Sequence, residues 1–126
     1  MQYYFAGLSV GLILLQTSII APSLAKTLSR EQFGVSIRAI WPKFFLLLAG
    51  SGIATLASLW WNSSTNTTQF ALAACTAVFP AICYGIIPAT NRATDTGNDA
   101  LFKKLHVVSV LLTVAVLFGN IGFLFT

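Results

Sequence analysis

Charge is what this sequence has least of. Lys, Arg, Asp and Glu make up 8% of it, against roughly 25% in soluble domains, and residues 1–25, 44–91 and 105–126 contain none of them. All of them, seven basic and three acidic, lie in two stretches, Lys26–Lys43 and Arg92–Lys104. Placing an ionised side chain at the bilayer centre costs about 2.5–3.5 kcal/mol on insertion scales, so this is the distribution of charges kept out of hydrocarbon. The lack of any carboxylate in the apolar segments removes the usual proton relay of pumps and the usual cation site of coupled transporters. With one histidine, bis-histidine haem ligation within the chain is impossible, and there is no C-x-x-C-H attachment sequence. The two cysteines, Cys75 and Cys83, share one apolar segment. At 1.5 Å per residue they stand about 12 Å apart along a helix, too far for a disulfide between them.

Hydrophobic residues fill the space that charge vacates, 56% of the chain with a mean hydropathy of +0.82. Four uncharged stretches, 3–24, 44–61, 70–87 and 105–125, reach the roughly 18 residues needed to cross hydrocarbon. They do not alternate as barrel strands would, and a backbone in lipid must satisfy its own amides, so helices are predicted. The fold class is therefore all-α: a single polytopic membrane domain, residues 1–126, forming an antiparallel four-transmembrane-helix bundle. Every Lys and Arg falls in the first and third connections, whereas the second, Asn62–Gln69, is uncharged. The positive-inside rule puts the charged loops in the cytoplasm and both termini outside. Ser23 and Ala25 have the spacing of a signal-peptidase site, but Met1–Tyr4 lacks a basic n-region, which favours a retained first helix.

Between the first two spans, Ser29 and Gln32 have capping-box spacing. Phe33, Ile37 and Ile40 would then face one way, giving a short amphipathic helix on the membrane surface, with an irregular loop as the alternative. Arg30, Arg38 and Lys43 there, with Lys103 and Lys104 before the fourth span, are candidate contacts to lipid headgroups. Pro42 would end that helix or occupy the first turn of the next span. Trp60 and Trp61 suit an outer aromatic belt, while Trp41 and Tyr84 fit an inner belt or interhelical packing equally well.

Helices in lipid associate through close backbone approach and polar contacts. Ala73, Ala77, Ala81 and Gly85 recur every four residues in the third span, Gly7 and Gly11 form a GxxxG in the first, and Ser51, Thr55 and Ser58 line one side of the second. Pro80 is expected to bend the third span. His106, Ser109, Thr113 and Asn120 fall within an arc of about 60° on the fourth span, and Ser9, Gln16 and Ser23 recur every seven residues on the first. Matching depths pair Gln16 with Thr113 and Ser9 with Asn120, which predicts that the first and fourth spans face each other through these groups.

No arrangement of these residues amounts to a reaction centre. His106 beside Lys103 and Lys104 suits a boundary residue better than a proton carrier or metal ligand, and Cys83 alone could join it, which does not complete a site. Asp95 and Asp99 flank Gly97 and Asn98, but the spacing fails the EF-hand pattern and reads as a solvated turn. Asn62-Ser63-Ser64 and Asn66-Thr67-Thr68 are glycosylation sequons whose meaning depends on the source. Catalytic, cofactor and metal residues are accordingly assigned to none.

Three stretches carry a family likeness: Ala21-Pro22-Ser23-Leu24 running on to Leu28-Ser29-Arg30-Glu31-Gln32; Trp41-Pro42-Lys43-Phe44-Phe45; and Phe102 to Leu112, with its Leu105-His106 and Ser109. Together they resemble the four-helix membrane family of unknown function typified by transmembrane protein 205. The resemblance implies a four-helix integral membrane protein and supplies no reaction. Three functional readings follow. The leading one is a noncatalytic bundle acting through lipid or protein contacts, as an accessory subunit or with copies of itself, and with no nucleic-acid role. The second is a permeation unit formed by oligomerisation, its path lined by the fourth-span polar stripe. The third is a cofactor-free membrane enzyme using His106.

Overall fold

A computed structural model describes all 126 residues and contains four long helices, α1 (Gln2–Thr27), α2 (Arg30–Trp61), α3 (Thr67–Asp95) and α4 (Asp99–Leu124). Each is long and apolar enough to cross a membrane. Side chains open three of them: Ser29 Oγ accepts from the Gln32 N–H at 3.2 Å, Asn66 Oδ1 from Gln69 N–H at 3.1 Å, and Asn98 Oδ1 from Leu101 N–H at 3.2 Å. Glu31 and Asp99 add negative charge in the first turns of α2 and α4. The ends of α2 and α3 share one device, a left-handed residue after the last turn. Ser63 takes φ 52° and Gly97 φ 73°. The next N–H then reaches back into the helix, from Ser64 to Leu59 O at 3.0 Å and from Asn98 to Ala93 O at 2.9 Å.

The expected separate surface helix is instead the beginning of α2, which continues from Arg30 through Pro42 to Trp61. The reason lies in where the proline stands. Its missing N–H costs the carbonyl of Arg38 a partner, and Arg38 is exposed at a polar end of the molecule, where that loss is small. Pro80 and Pro88 also lie inside a helix, α3.

α1 is not regular throughout: a π-helical turn, Gln16–Ile20, interrupts it, and Ala21 N–H donates to Gln16 O, five residues back. Pro22 follows at once. A proline ring crowds the carbonyl four residues earlier, here Ser18, and a widened turn relieves that crowding.

Each helix touches two others. α1 packs on α2 and α4, α3 packs on α2 and α4, and the diagonal pairs, α1 with α3 and α2 with α4, have no close backbone approach. The helices form a ring. At one end, Asn62 Nδ2 donates to Gln2 Oε1 at 2.9 Å, and Gln69 Nε2 donates to Tyr3 Oη at 3.0 Å and Thr126 Oγ1 at 2.9 Å. At the other, Arg38 pairs with Asp95. The two charged stretches therefore share one end, and the chain termini meet the Asn62–Asn66 turn at the opposite one.

Inside the ring are two apolar clusters. Ile13, Phe44, Phe45, Leu48, Cys83 and Val116 pack nearer the charged end, and Ala6, Leu59, Ala73 and Phe123 nearer the other. Trp41 borders the first cluster, its ring stacked on Phe45 with centroids 5.3 Å apart. Of its two sequence readings, packing is the one realised. Trp60 and Trp61, each 81% exposed, stand outside the ring at the uncharged end.

Of the glycines, Gly52 stands tightest against another backbone: a Cβ there would meet Ala77 N, lie 2.6 Å from Thr76 C and 2.8 Å from Ala77 Cα. Gly52 thus lets α2 and α3 touch. The glycines singled out by spacing behave differently, since Gly7, Gly11 and Gly85 are exposed and a Cβ on any of them would meet nothing within 4 Å. Ala73 is buried and Ala77 half-buried, while Ala81 is exposed, so the α3 stripe is used over its first half only. Four-residue spacing finds a smooth strip; it does not say which strip has a neighbour.

Candidate functional site

The ring also buries polar side chains. Ser9, Gln16, Ser51, Thr55, Ser58, Gln69, Thr76, Thr113 and Asn120 are all buried. Helical geometry explains how most are tolerated, because a Ser or Thr hydroxyl can reach the carbonyl one turn back. Thr55 donates to Ser51 O at 2.9 Å, Thr76 to Leu72 O at 2.9 Å, and Thr113 to Ser109 O at 2.8 Å. Such groups bring their own acceptors.

Two pairs then link helices. Ser9 Oγ and Ser51 Oγ are 2.6 Å apart, and Ser51 Oγ also donates to Phe5 O at 2.9 Å, joining α1 to α2. Asn120 Nδ2 donates to Thr76 Oγ1 at 2.9 Å and to Val116 O at 2.8 Å, joining α4 to α3. The expected Ser9–Asn120 pairing across α1 and α4 is not formed. Those helices are neighbours, but each polar group bonds the helix on its other side. Matching depth along a helix does not choose between the two helices that flank it.

Gln16 is different. It is 3% exposed, and its Nε2 has no hydrogen-bond partner. The fourth-span stripe also divides: Thr113 and Asn120 are buried, Ser109 is half-buried with its carbonyl used by Thr113 and Cys83, and His106 is exposed. The His106 ring stacks on Phe102, with centroids 5.7 Å apart and planes 10° from parallel. It thus stands apart from the interior polar groups. Ser23 is exposed as well.

At the charged end Arg38 donates from Nη1 to Asp95 Oδ2 at 3.3 Å, from Nη2 to Asp95 Oδ1, and from Nη2 to Asn91 O at 3.5 Å. This two-pronged clamp fixes the start of α2 to the end of α3. The hydrogen bond to the guanidinium holds the Asp95 carboxyl below its ordinary range and raises Arg38 further. Arg30, Lys43, Lys103 and Lys104 are exposed and form no salt bridge. Sequence spacing missed both Gly52, which belongs to no regular small-residue repeat, and Asp95, whose partner lies in another connection.

Such a site can hold helices together and present positive charge at one end. The outward surface is aliphatic and aromatic, with Leu47, Ile53, Leu111 and Phe118 all exposed. No curated protein and no solved structure matches the chain. A family described as Domain of unknown function (DUF4149) matches residues 4–99, which takes in nearly all of α1, all of α2 and α3 and the turn that follows, and the chain belongs to that family.

Proposed function

We propose that this protein is a multi-pass membrane protein whose helices cross the bilayer as an antiparallel bundle. Lys26–Lys43 and Arg92–Lys104 lie at the cytoplasmic leaflet, and both termini lie outside. Its function is exercised through its surface: a noncatalytic bundle that engages anionic lipid and a membrane-embedded protein partner, as an accessory subunit or with copies of itself. The observation that carries this reading is the Arg38–Asp95 pair. It joins the two charged stretches at one end of the ring, while Gln2, Tyr3, Asn62, Gln69 and Thr126, all uncharged, meet at the other. Such one-sided charge is what the positive-inside rule reads.

Arg30, Lys43, Lys103 and Lys104 offer the headgroups exposed charge, each worth about 1 kcal/mol near an anionic surface. Arg38 offers less, because Asp95 already neutralises it. On this reading the first turns of α2, Arg30–Ile40, run along the polar boundary before the helix enters hydrocarbon, with half-buried Phe33, Ile37 and Ile40 on the apolar side. The likeness to the transmembrane protein 205 family supports the same arrangement, and two of the three stretches that carry it lie within the matched residues 4–99.

The permeation reading loses support because Thr113 and Asn120, its proposed lining, are buried within one chain and donate their protons there. A path between copies needs such groups on the outside. A reaction at His106 would have to proceed without the interior polar groups, from which the ring stands apart.

Topology and contacts are tested together. In a background without Cys75 and Cys83, Ser63→Cys should react with an impermeant maleimide in intact cells, and Thr96→Cys only after permeabilisation. The reverse labelling would sink the orientation. Native mass spectrometry from mild detergent should show retained anionic phospholipid, reduced in the Lys103→Gln, Lys104→Gln double variant, and a copurifying membrane protein. A lipid-free lone monomer would sink the contact reading.

A further inference from the structure

The interior hydrogen bonds fix which residues of neighbouring helices share a level. Asn120 of α4 meets Thr76 of α3, and seven residues toward the charged end on each helix stand Thr113 and Cys83. That level is joined directly, since Cys83 Sγ donates to Ser109 O at 3.8 Å beside the Thr113 bond to the same carbonyl. On the α1 side, Ile13 and Val116 pack in one cluster with Cys83. Three residues further toward the charged end, on the same helix faces, are Gln16 of α1 and Thr113 of α4. Phe44 and Phe45 of α2 belong to that cluster too. One layer of the ring therefore brings together an amide, a hydroxyl and a thiol among aromatic rings.

Within this layer the donors and acceptors do not balance. The Thr113 proton goes to Ser109 O at 2.8 Å, which leaves the Thr113 oxygen lone pairs free. Gln16 Nε2 is buried and has hydrogen to give but no acceptor. Burying such a donor unpaired costs roughly 1–3 kcal/mol. The irregular turn of α1, Gln16–Ile20, begins at this same residue.

We propose that Gln16, Thr113 and Cys83 enclose a site for one water molecule, which accepts from Gln16 Nε2 and donates to Thr113 Oγ1. Water is the smallest molecule that performs both roles, and its second hydrogen meets the Cys83 sulfur, a weak acceptor. Buried waters typically make about three hydrogen bonds, and these three atoms offer one unpaired donor and two acceptors. The site is an internal joint between α1 and α4, which no direct side-chain hydrogen bond links.

Crystals of the full chain grown in a lipid mesophase, at a resolution that shows ordered water, test this. The expected result is a water peak about 3 Å from both Gln16 Nε2 and Thr113 Oγ1. It should be lost in Thr113→Val and kept in Thr113→Ser. Direct donation from Gln16 Nε2 to a protein atom, or a peak indifferent to Thr113→Val, overturns the proposal. Where crystals do not form, glutamine-selective 15N labelling in micelles replaces them, the Gln16 signal being identified by its loss in Gln16→Leu. Its side-chain amide should show a water cross-peak that Thr113→Val removes and Thr113→Ser keeps, and absence of that cross-peak in the unmodified protein overturns the proposal equally.

Discussion

Gly52→Ala separates a glycine that holds two helices together from glycines that only have the right spacing. The added Cβ would lie 2.6 Å from Thr76 C and 2.8 Å from Ala77 Cα, where ordinary carbon contacts need 3.5–4.0 Å. All the atoms met are backbone, so no side chain can swing away. α2 and α3 must separate locally by about 1 Å, and a gap of that size forfeits a quarter to a half of each dispersion contact along the seam. Overpacking of this kind costs about 1–3 kcal/mol, against a helix-propensity gain of at most about 1 kcal/mol for Ala over Gly. The net expectation is a loss of about 1–2 kcal/mol. Gly7→Ala and Gly11→Ala meet nothing within 4 Å and carry only the propensity gain, so they should be neutral or slightly stabilising. Reversible unfolding in mixed micelles containing increasing SDS, followed by circular dichroism, measures all three. A Gly52→Ala protein within about 0.5 kcal/mol of the parent would refute the close approach. Gly7→Ala or Gly11→Ala losing as much as Gly52→Ala would show that the outer face of α1 is covered.

Interior pairing predicts a coupling of about 0.6 kcal/mol, and no more than about 1.7 kcal/mol, in a Thr76→Val, Asn120→Leu double-mutant cycle, with none for Ser9→Ala with Asn120→Leu; the same unfolding assay reads both. Ser63 holds a left-handed conformation that costs a non-glycine residue about 1–2 kcal/mol, so Ser63→Gly should raise stability by about 0.5–1 kcal/mol once the extra freedom of unfolded glycine is counted. Gly97→Ala, at the matching position with φ 73°, should lower it by about 1 kcal/mol. The Asp95 carboxyl, depressed by its hydrogen bond to Arg38, should titrate below its ordinary value when followed by 13C shift, and Arg38→Gln should return it there. Because the folded-state value is the lower one, the stabilising contribution is complete above the ordinary carboxylate pKa and disappears as pH falls through the depressed one.

Much of this arrangement is legible in the sequence, and what is not legible fails for one physical reason. Exclusion of charge from hydrocarbon is a property of each residue alone, so the four apolar helices and the clustering of Lys and Arg can be read without knowing any contact. Ser29 as a cap is equally local, since its partner is three residues away. A helix face is also a local property, and of the two polar stripes Ser9, Gln16, Thr113 and Asn120 are buried while Ser23 and His106, at the ends, are exposed. Pairing is not local. Ser9 finds Ser51, Asn120 finds Thr76 and Arg38 finds Asp95, each across more than forty residues of chain. Gly7 and Gly11 fail in the same way, for their spacing describes a surface while the contact requires a second one. The break expected at Pro42 fails because a proline costs a helix little where the freed carbonyl reaches water.

These pairings constrain where activity can reside. Hydroxyls that bond a carbonyl one turn back, and an amide that bonds both Thr76 and its own helix, are in their low-energy state already. Recruiting any of them to a solute would expose an unsatisfied group in an apolar interior, at a cost of roughly 1–3 kcal/mol each. The exposed cations at the charged end carry no such penalty. Neither do the aliphatic and aromatic side chains around the ring, which lose nothing by exchanging lipid for a protein of similar polarity. The cost of disturbing the inside and the freedom of the outside both favour the proposed recognition at the outer surface. Gln16, with a buried donor left over, is the interior group for which this reasoning runs the other way.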